Sequence, residues 1–487
     1  MKKIITFLFP ILFFSSCEDA LQEVPLDRLS QENFYKTNDD FTGATNAIYA
    51  QFKVDGVYGI WLPAFLTGMS DYAISRGTQA PVSEYKGLDG TNIGRSDLIW
   101  RGLYQVINSS NIVIKLAPTS TMIATDQNAF IGEARFLRAL AYYHLVRNFG
   151  TVPIYTQPLE SLASLGAKRS PVDEVYKLIT DDLIFAETNL PNKVSQIGRP
   201  TIWAAKTLLS DVYLTRENWT AARDKANEVI RSGLYNLVEV KASDDFEKVY
   251  GAEIATSTEE IFALKYARIT GQRWNYVAFL HPADAPFSVG GVRAHFTNFN
   301  IPLIKNWNDK DLRKDYNIYS RYVNRSNATI TFPAAEPLCF RKYRDIVSNF
   351  HGNDVPVLRL SDALLIHAEA SSQANKVPDA AALESLNRVR RRAYGFAQNT
   401  ASTIDYTLQG QTAESFRELV LNERAYEFMM EFKRWYDLKR LGTDRLKAII
   451  KIAKCKDVQD IHLLFAIPNQ ELDNNPALKP TDQNPGY

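Results

Sequence analysis

The chain has 487 residues, with 56 Lys and Arg against 55 Asp and Glu, a formal net charge of +1. A nucleic-acid binder carries a basic excess or stripe, so this balance argues against that class of partner. Of three cysteines, Cys339 and Cys455 lie far apart with no CxxC pair; this argues against a zinc site or a disulfide framework and predicts two small buried apolar residues.

The first element is a targeting segment. Lys2 and Lys3 precede the apolar run Ile4 to Phe14, which Pro10 interrupts, and the small residues Ser15 and Ser16 follow. Crossing a bilayer takes about 20 apolar residues, so this run directs export without spanning. Two readings remain. An ordinary secretory peptide would be cut near Ser16 and leave Cys17 as a thiol. In the favoured reading, residues 1–16 are a lipoprotein signal: "FSSC" resembles a lipobox, with Phe14 where leucine is usual, and Cys17 becomes the acylated first residue. Two or more chains of the palmitate type anchor stably where one anchors marginally. No later segment approaches spanning length.

Helices come next. In "TNDDFTGATNAIYAQF", Thr37 and Asp40 form a capping-box pattern, and Phe41, Ala44, Ile48 and Phe52 share a face. "DLIWRGLYQVINSSNIVIKL" repeats the period through Trp100, Leu103, Ile107 and Ile114. "FIGEARFLRALAYYHLVRNFG" does so through Ala134, Leu137, Ala141 and Leu145, with Gly150 as a stop. Two stretches then echo each other as helix, turn, helix. "AKTLLSDVYLTRENWTAARDKANEVIRSG" turns at Asn218, and "ALLIHAEASSQANKVPDAAALESLNRVRRRA" turns near Asn375, with Pro378 opening its second helix. Alanines on the contact faces predict tetratricopeptide-type hairpins that stack, although a plain helical bundle would show similar alanines. The helical scaffold is placed at about 30–232 and 359–445. Residues 56–95 and 233–358 lack the period and are rich in Gly, Pro, Asn and aromatics, with strand-like runs such as "EIFALKYA" and "ATITF"; they are expected to carry ligand binding.

The chemistry motifs are mostly absent: GxSxG, HExxH, GxGxxG and GxxxxGK do not occur, and the six histidines do not pair at ligand spacing. One constellation stands out, because Glu423, Glu427 and Glu431 recur every four residues on one helical face. They could serve a surface glycosidase as paired acids. Like charges at this spacing repel, however, unless cations neutralise them. Arg424 and Arg434 lie nearby, and "LNRVRRRA" supplies Arg388, Arg390, Arg391 and Arg392. A structural ion-pair network is the expected role, with Glu427 or Glu431 facing an arginine of that second helix. Asp309, Asp311 and Asp315 form an acidic loop that could hold calcium, although a solvated turn explains them as well.

Taken in order, the lipobox, "EARFLRALAYYHLVRNFGTVPI", "GRPTIWAAKTLLSDVYLTRENWTAARDKANEVI", "VLRLSDALLIHAEA", "LNRVRRRA", "NERAYEFMMEFKRWYDLKRLG" and "IPNQELDNNPALKPTDQNPGY" resemble the SusD/RagB family over nearly the whole of residues 17–487. The resemblance implies one large, mainly α domain of tetratricopeptide-like hairpins in a right-handed superhelical scaffold, with long loop and short-strand insertions. It implies a lipoprotein of the outer membrane of Bacteroidetes, without cofactor or catalysis, facing the cell exterior over a SusC-like TonB-dependent transporter. Such proteins capture glycans, or in some members peptides. In this setting the acidic pair Glu18 and Asp19 resembles a surface-export signal, or else is a solvated tether.

Sugar binding in water needs flat aromatic faces and a few fixed polar groups. Trp100, Trp203, Trp219 and Trp435 sit in helical patterns and read as packing. Trp61, Trp274 and Trp307 lie in the irregular segments beside Asp71, Tyr72 and Arg76 and beside Tyr276, His281 and Arg273, so these are the candidate ligand-binding residues by region and composition.

Overall fold

The structure, a computed structural model, describes residues 34–159, 166–347 and 349–487; Cys17 and the signal segment lie outside them. Helix α1, Asn38–Phe52, begins as its sequence dictates. The Thr37 hydroxyl accepts from the Asp40 amide, and the Asp40 carboxylate accepts from the Thr37 amide at 2.8 Å, satisfying two donors that a helix start leaves bare. Phe41, Ile48 and Phe52 are buried beneath it.

Helix α2, Trp61–Met69, falls where an irregular segment was expected. Leu62 through Met69 are all buried, so "WLPAFLTGM" is apolar on every side and shows no amphipathic period. The long helices α3, Gly90–Leu116, and α4, Ala124–Phe149, follow. Gly150 ends α4 at φ +76°, a conformation open to glycine at little cost. Then come α5, Val172–Asn189, α6, Ile202–Thr215, and α7, Trp219–Arg231, whose first turn is capped by the Asn218 side chain. After the insertion, α8 (Leu360–Asn375) and α9 (Ala380–Ala393) form the second hairpin. Asp379 caps α9, so Pro378 stands just ahead of the cap rather than inside the helix. The longer helices end with α10, Ala413–Glu427, α11, Arg434–Lys439, and α12, Thr443–Lys454.

Each helix from α3 to α9 packs on the next in the series, so the array is mainly α and tetratricopeptide-like. Small residues allow the close approach: Ala204 and Ala205 of α6, Ala222 and Ala226 of α7, and Ala363, Ala368 and Ala370 of α8 are buried.

The insertion has short strands. Ile74–Ser75, His295–Thr297, Leu338–Phe340 and Ile318–Tyr319 lie in that order in one antiparallel sheet, in register Ile74 to Phe296, Phe296 to Cys339 and Ile318 to Phe340. Glu260–Leu264 pairs with Val355–Arg359, and the latter runs directly into α8. Cys339 is buried in the sheet. Cys455, expected to be buried as well, is exposed in a left-handed conformation (φ +55°) at the C-cap of α12, so that expectation is corrected. Among the described residues no helix is long and apolar enough to cross a membrane.

Candidate functional site

The acidic face of α10 points inward, but the helix ends at Glu427 and left-handed turns at Met430 and Phe432 follow, so the expectation of three acids on one helical face is corrected: Glu431 reaches the same interior from beyond the helix. Glu427 Oε1 accepts from Arg359 at 3.0 Å, from the Ser361 hydroxyl at 2.8 Å and from Arg392 of α9, while Oε2 accepts from Arg313 at 3.0 Å. Arg313 also donates to Glu423 and Asp311, at 2.6 Å each. Glu431 accepts from Arg359 and from Lys342, and Glu259 lies 3.3 Å from both Arg359 and Arg392. Arg390 stands 3.8 Å from Glu423, whereas Arg388 takes no part and donates to Gln398. Burial alone would push the Glu427 carboxyl up; Arg392, Arg359 and Arg313 outweigh it and hold that carboxyl well below the usual range. Burial lowers the Lys342 ammonium to about 8, with Glu431 opposing.

This network joins the scaffold to the insertion. Glu423, Glu427, Arg390 and Arg392 come from α9 and α10, while Asp311, Arg313 and Lys342 come from residues 233–358. The side chains of Glu423, Glu427 and Glu431 are at most 1% exposed, so these carboxylates are closed to a polysaccharide, and a hydrolase built on them has no access to its substrate. Arg392 and Arg390 were expected from the sequence, whereas Arg313, Arg359 and Lys342 were not singled out in it. Three buried acids demand partners, but spacing along the chain cannot say which distant basic residues supply them.

The aromatic candidates divide sharply. Trp274 and Tyr276 are 0% exposed and Trp307 is 2%. The Trp274 indole donates to the Tyr58 carbonyl, the Tyr276 hydroxyl meets the Thr67 hydroxyl at 2.7 Å, and Trp307 stacks on Tyr426 with centroids 4.6 Å apart. Tyr72 is buried with its hydroxyl accepting from the Met430 amide, Asp71 is held by Arg434 at 2.7 and 2.9 Å, and His281 is enclosed beside the Tyr343 carbonyl. These six are corrected from ligand platform to core. Trp274, Tyr276 and Trp307 join the same continuous core as Phe41, Leu103 and Leu137 of the helices, so the insertion is sealed onto the scaffold by its own aromatics. In the acidic loop, Asp311 is held by Arg313 and Asp309 by Lys314. Among the described residues no group of three or more ligating side chains is placed to hold a metal ion.

Trp61 and Arg76 reach the surface, and the fold brings them together. The Arg76 amide donates to the Ala294 carbonyl, the Ala294 amide to Phe279, and the Val292 amide to Ala278, so the strand after α2 lies beside residues 278–294. Trp61 meets the half-buried Phe279 edge-on, with centroids 5.8 Å apart. The Arg95 guanidinium lies 4.1 Å from the Trp61 ring centroid and is fixed by Thr78, whose hydroxyl accepts at 2.7 Å. Glu336 accepts from both Arg76 and Arg293, and Val292, next to Arg293 in the chain, is 61% exposed. The result is a half-buried aromatic pair, with Arg95 over the indole and Tyr276 stacked on Phe279, set beside guanidinium and carboxylate groups at the surface. Arg95 and Phe279 were not proposed from sequence; Phe279 lies in "RWNYVAFLHPADAPF", whose Trp274 and Tyr276 turn inward.

The SusD family model matches residues 314–487, and a second model, described as starch-binding associating with outer membrane, matches residues 69–214. A SusD-like protein of Formosa agariphila is 28% identical over 533 residues, covering 100% of this chain and 100% of that one. Among solved structures, a SusD homolog from Bacteroides thetaiotaomicron superposes with a TM-score of 0.77 at 23% identity, covering 94% of this chain and 99% of that chain. A laminarin-binding SusD-like protein gives 0.75 at 22%, covering 93% and 100%. At these identities the superpositions speak for the fold. With SusD-type family models matching on both sides of residues 215–313 and a SusD-like relative aligned across the full length, the chain is similar to SusD-family proteins from end to end.

Proposed function

We propose that the protein is a non-catalytic cell-surface lipoprotein, anchored in the outer membrane through acylated Cys17, that captures glycans and passes them to a SusC-like TonB-dependent transporter. The observation that carries the reading is the surface where α2 meets the insertion. Trp61 and Phe279 offer flat apolar faces for the C–H side of a pyranose, and Arg76, Arg95 and Glu336 supply fixed hydrogen-bonding groups for its hydroxyls. A SusD-like neighbour in structure is described as laminarin-binding, which supports a glycan over other ligands. The matched description of starch binding at the outer membrane supports the location, and Lys2, Lys3 and the apolar run before Cys17 support the anchor. The reading calls for no cofactor.

The test is a glycan array and a peptide library applied to the soluble chain from residue 18 onward, followed by calorimetry on the best ligand with the parent and Trp61→Ala. Glycan binding weakened about tenfold by the substitution is expected, since loss of one stacking platform amounts to about 1.4 kcal/mol. Binding of peptides alone would overturn the substrate class. For the anchor and partner, Cys17→Ser is expected to release the chain from membranes and to stop its co-purification with an outer-membrane transporter.

A further inference from the structure

Asn46, Tyr49 and Ala50 of α1, with Lys53 at its C-cap, fall on one helical face and form a wall of a cleft of about 530 Å³. Gln196–Arg199, Leu264–Lys265 and Gly271–Gln272 line its other sides. The volume lies within the range of small-ligand sites, about 300–1,000 Å³.

Most polar groups here are already committed to one another. Arg199 donates to Glu133, Thr45, Asn46 and Gln196, and the Tyr49 hydroxyl donates to Glu133. Lys265 donates to Glu260, Asp354 and the Ala255 carbonyl. Lys53 differs. Its ammonium stands 4.9 Å from the Tyr266 ring centroid and makes no hydrogen bond or ion pair among the described residues. Burial depresses its affinity for a proton, and the charge of Asp354 opposes this only in part. Asn46 has its side-chain oxygen engaged by Arg199, which leaves the amide N–H groups to give. Of the nearby carboxylates, Glu133, Glu260 and Asp354 each already have a cation in contact, and Asp55 accepts from Asn275. The cleft therefore offers donors and one uncompensated ammonium. At its rim Ile197 is 50% and Val54 37% exposed, apolar faces on which a pyranose ring can rest.

We propose that this cleft is a second binding site, sharing no residue with the Trp61 surface, for the carboxylate of a uronic-acid residue in a captured glycan, with Lys53 as its counter-cation and Asn46 as a hydrogen-bond donor. The proposal rests on the glycan-binding reading above. Calorimetry would compare tetragalacturonate, tetramannuronate and a glucuronate-substituted xylotetraose with galactotetraose, mannotetraose and unsubstituted xylotetraose, their carboxylate-free counterparts. At least one uronate is expected to bind about tenfold or more tightly than its counterpart, as a charge-assisted contact implies. Lys53→Met is expected to remove that preference and leave neutral binding unchanged, while Lys53→Arg keeps most of it. Acetylation of the parent with acetic anhydride, read by peptide mass mapping, supplies a measurement that needs no variant: the preferred uronate protects Lys53 and the neutral oligosaccharide does not. Neutral binding without uronate preference, or a preference that survives Lys53→Met with Lys53 unprotected, would overturn the second site alone. If no oligosaccharide of either kind binds, the glycan reading falls and the second site with it.

Discussion

Glu427→Gln keeps the shape of the side chain and removes one charge from the most widely shared carboxylate in the molecule. In the parent, five cations (Arg313, Arg359, Arg390, Arg392 and Lys342) face five acids (Glu259, Asp311, Glu423, Glu427 and Glu431). After the substitution Arg313 keeps Asp311 and Glu423, and Arg359 keeps Glu431 and Glu259, but Arg392 is left with one carboxylate, Glu259 at 3.3 Å, and the neutral Ser361 hydroxyl at 3.3 Å. Arg392 is 2% exposed at its side chain, so water cannot replace the lost partner. Breaking a buried pair in this way costs about 3–5 kcal/mol. The comparison is Asp181→Asn, which breaks the Lys177–Asp181 pair at 74% and 52% exposure and is expected to change stability by less than about 0.5 kcal/mol. Urea unfolding followed by tryptophan fluorescence reads both, because Trp274 and Trp435 are buried reporters. A Glu427→Gln variant within about 1 kcal/mol of the parent would refute the idea that the network holds the insertion in place. Neither protein is expected to release reducing ends from a polysaccharide.

All six histidines lie in the described residues and burial lowers each of them, His281 and His295 to about 3. The unfolded chain then binds more protons than the folded one from about pH 6.5 downward, so stability falls with falling pH through that window, by about 2 kcal/mol for each of these two between pH 7 and 5. Urea midpoints across that range check it, and His295→Asn should flatten the slope; an unchanged slope would count against it. At Gly291 a Cβ would stand 1.8 Å from the His281 carbonyl oxygen, so Gly291→Ala must displace residues 278–294. The variant is expected to lose more than about 1 kcal/mol of stability and to weaken glycan binding, because Phe279 shifts. Trp61→Phe, which keeps a ring, is expected to retain more affinity than Trp61→Ala in the same calorimetry.

The scaffold was legible because its helices carry their own signals. Thr37 with Asp40, Asn218, Gly150 and the spacing of Phe41, Ile48 and Phe52 each state a local requirement that the neighbouring residues meet. Helix α2 was not legible, since every residue after Trp61 is buried and no polar face marks the turn. The insertion misled for a related reason: Trp274 and Tyr276 have the composition of a sugar platform and of a small core alike, and only the three-dimensional path of residues 233–358 decides between them. The acidic face of α10 was readable as needing cations, and Arg392 of α9 does reach Glu427. Arg313, Arg359 and Lys342 were not, because ion pairs that span 68 to 114 residues of chain leave no periodic trace.

The buried charge network also sets the terms on which this protein can change. Within residues 233–358 it separates a root, where Arg313 and Lys342 are bound to Glu423, Glu427 and Glu431 and Asp311 holds Arg313, from a rim that includes Val292, Phe299, Ile346 and Val347, each more than half exposed. A substitution in the root strands an opposite charge in the interior, while one at the rim meets solvent. New ligand preferences are therefore reached most readily through rim residues, with no alteration to the joint that carries them.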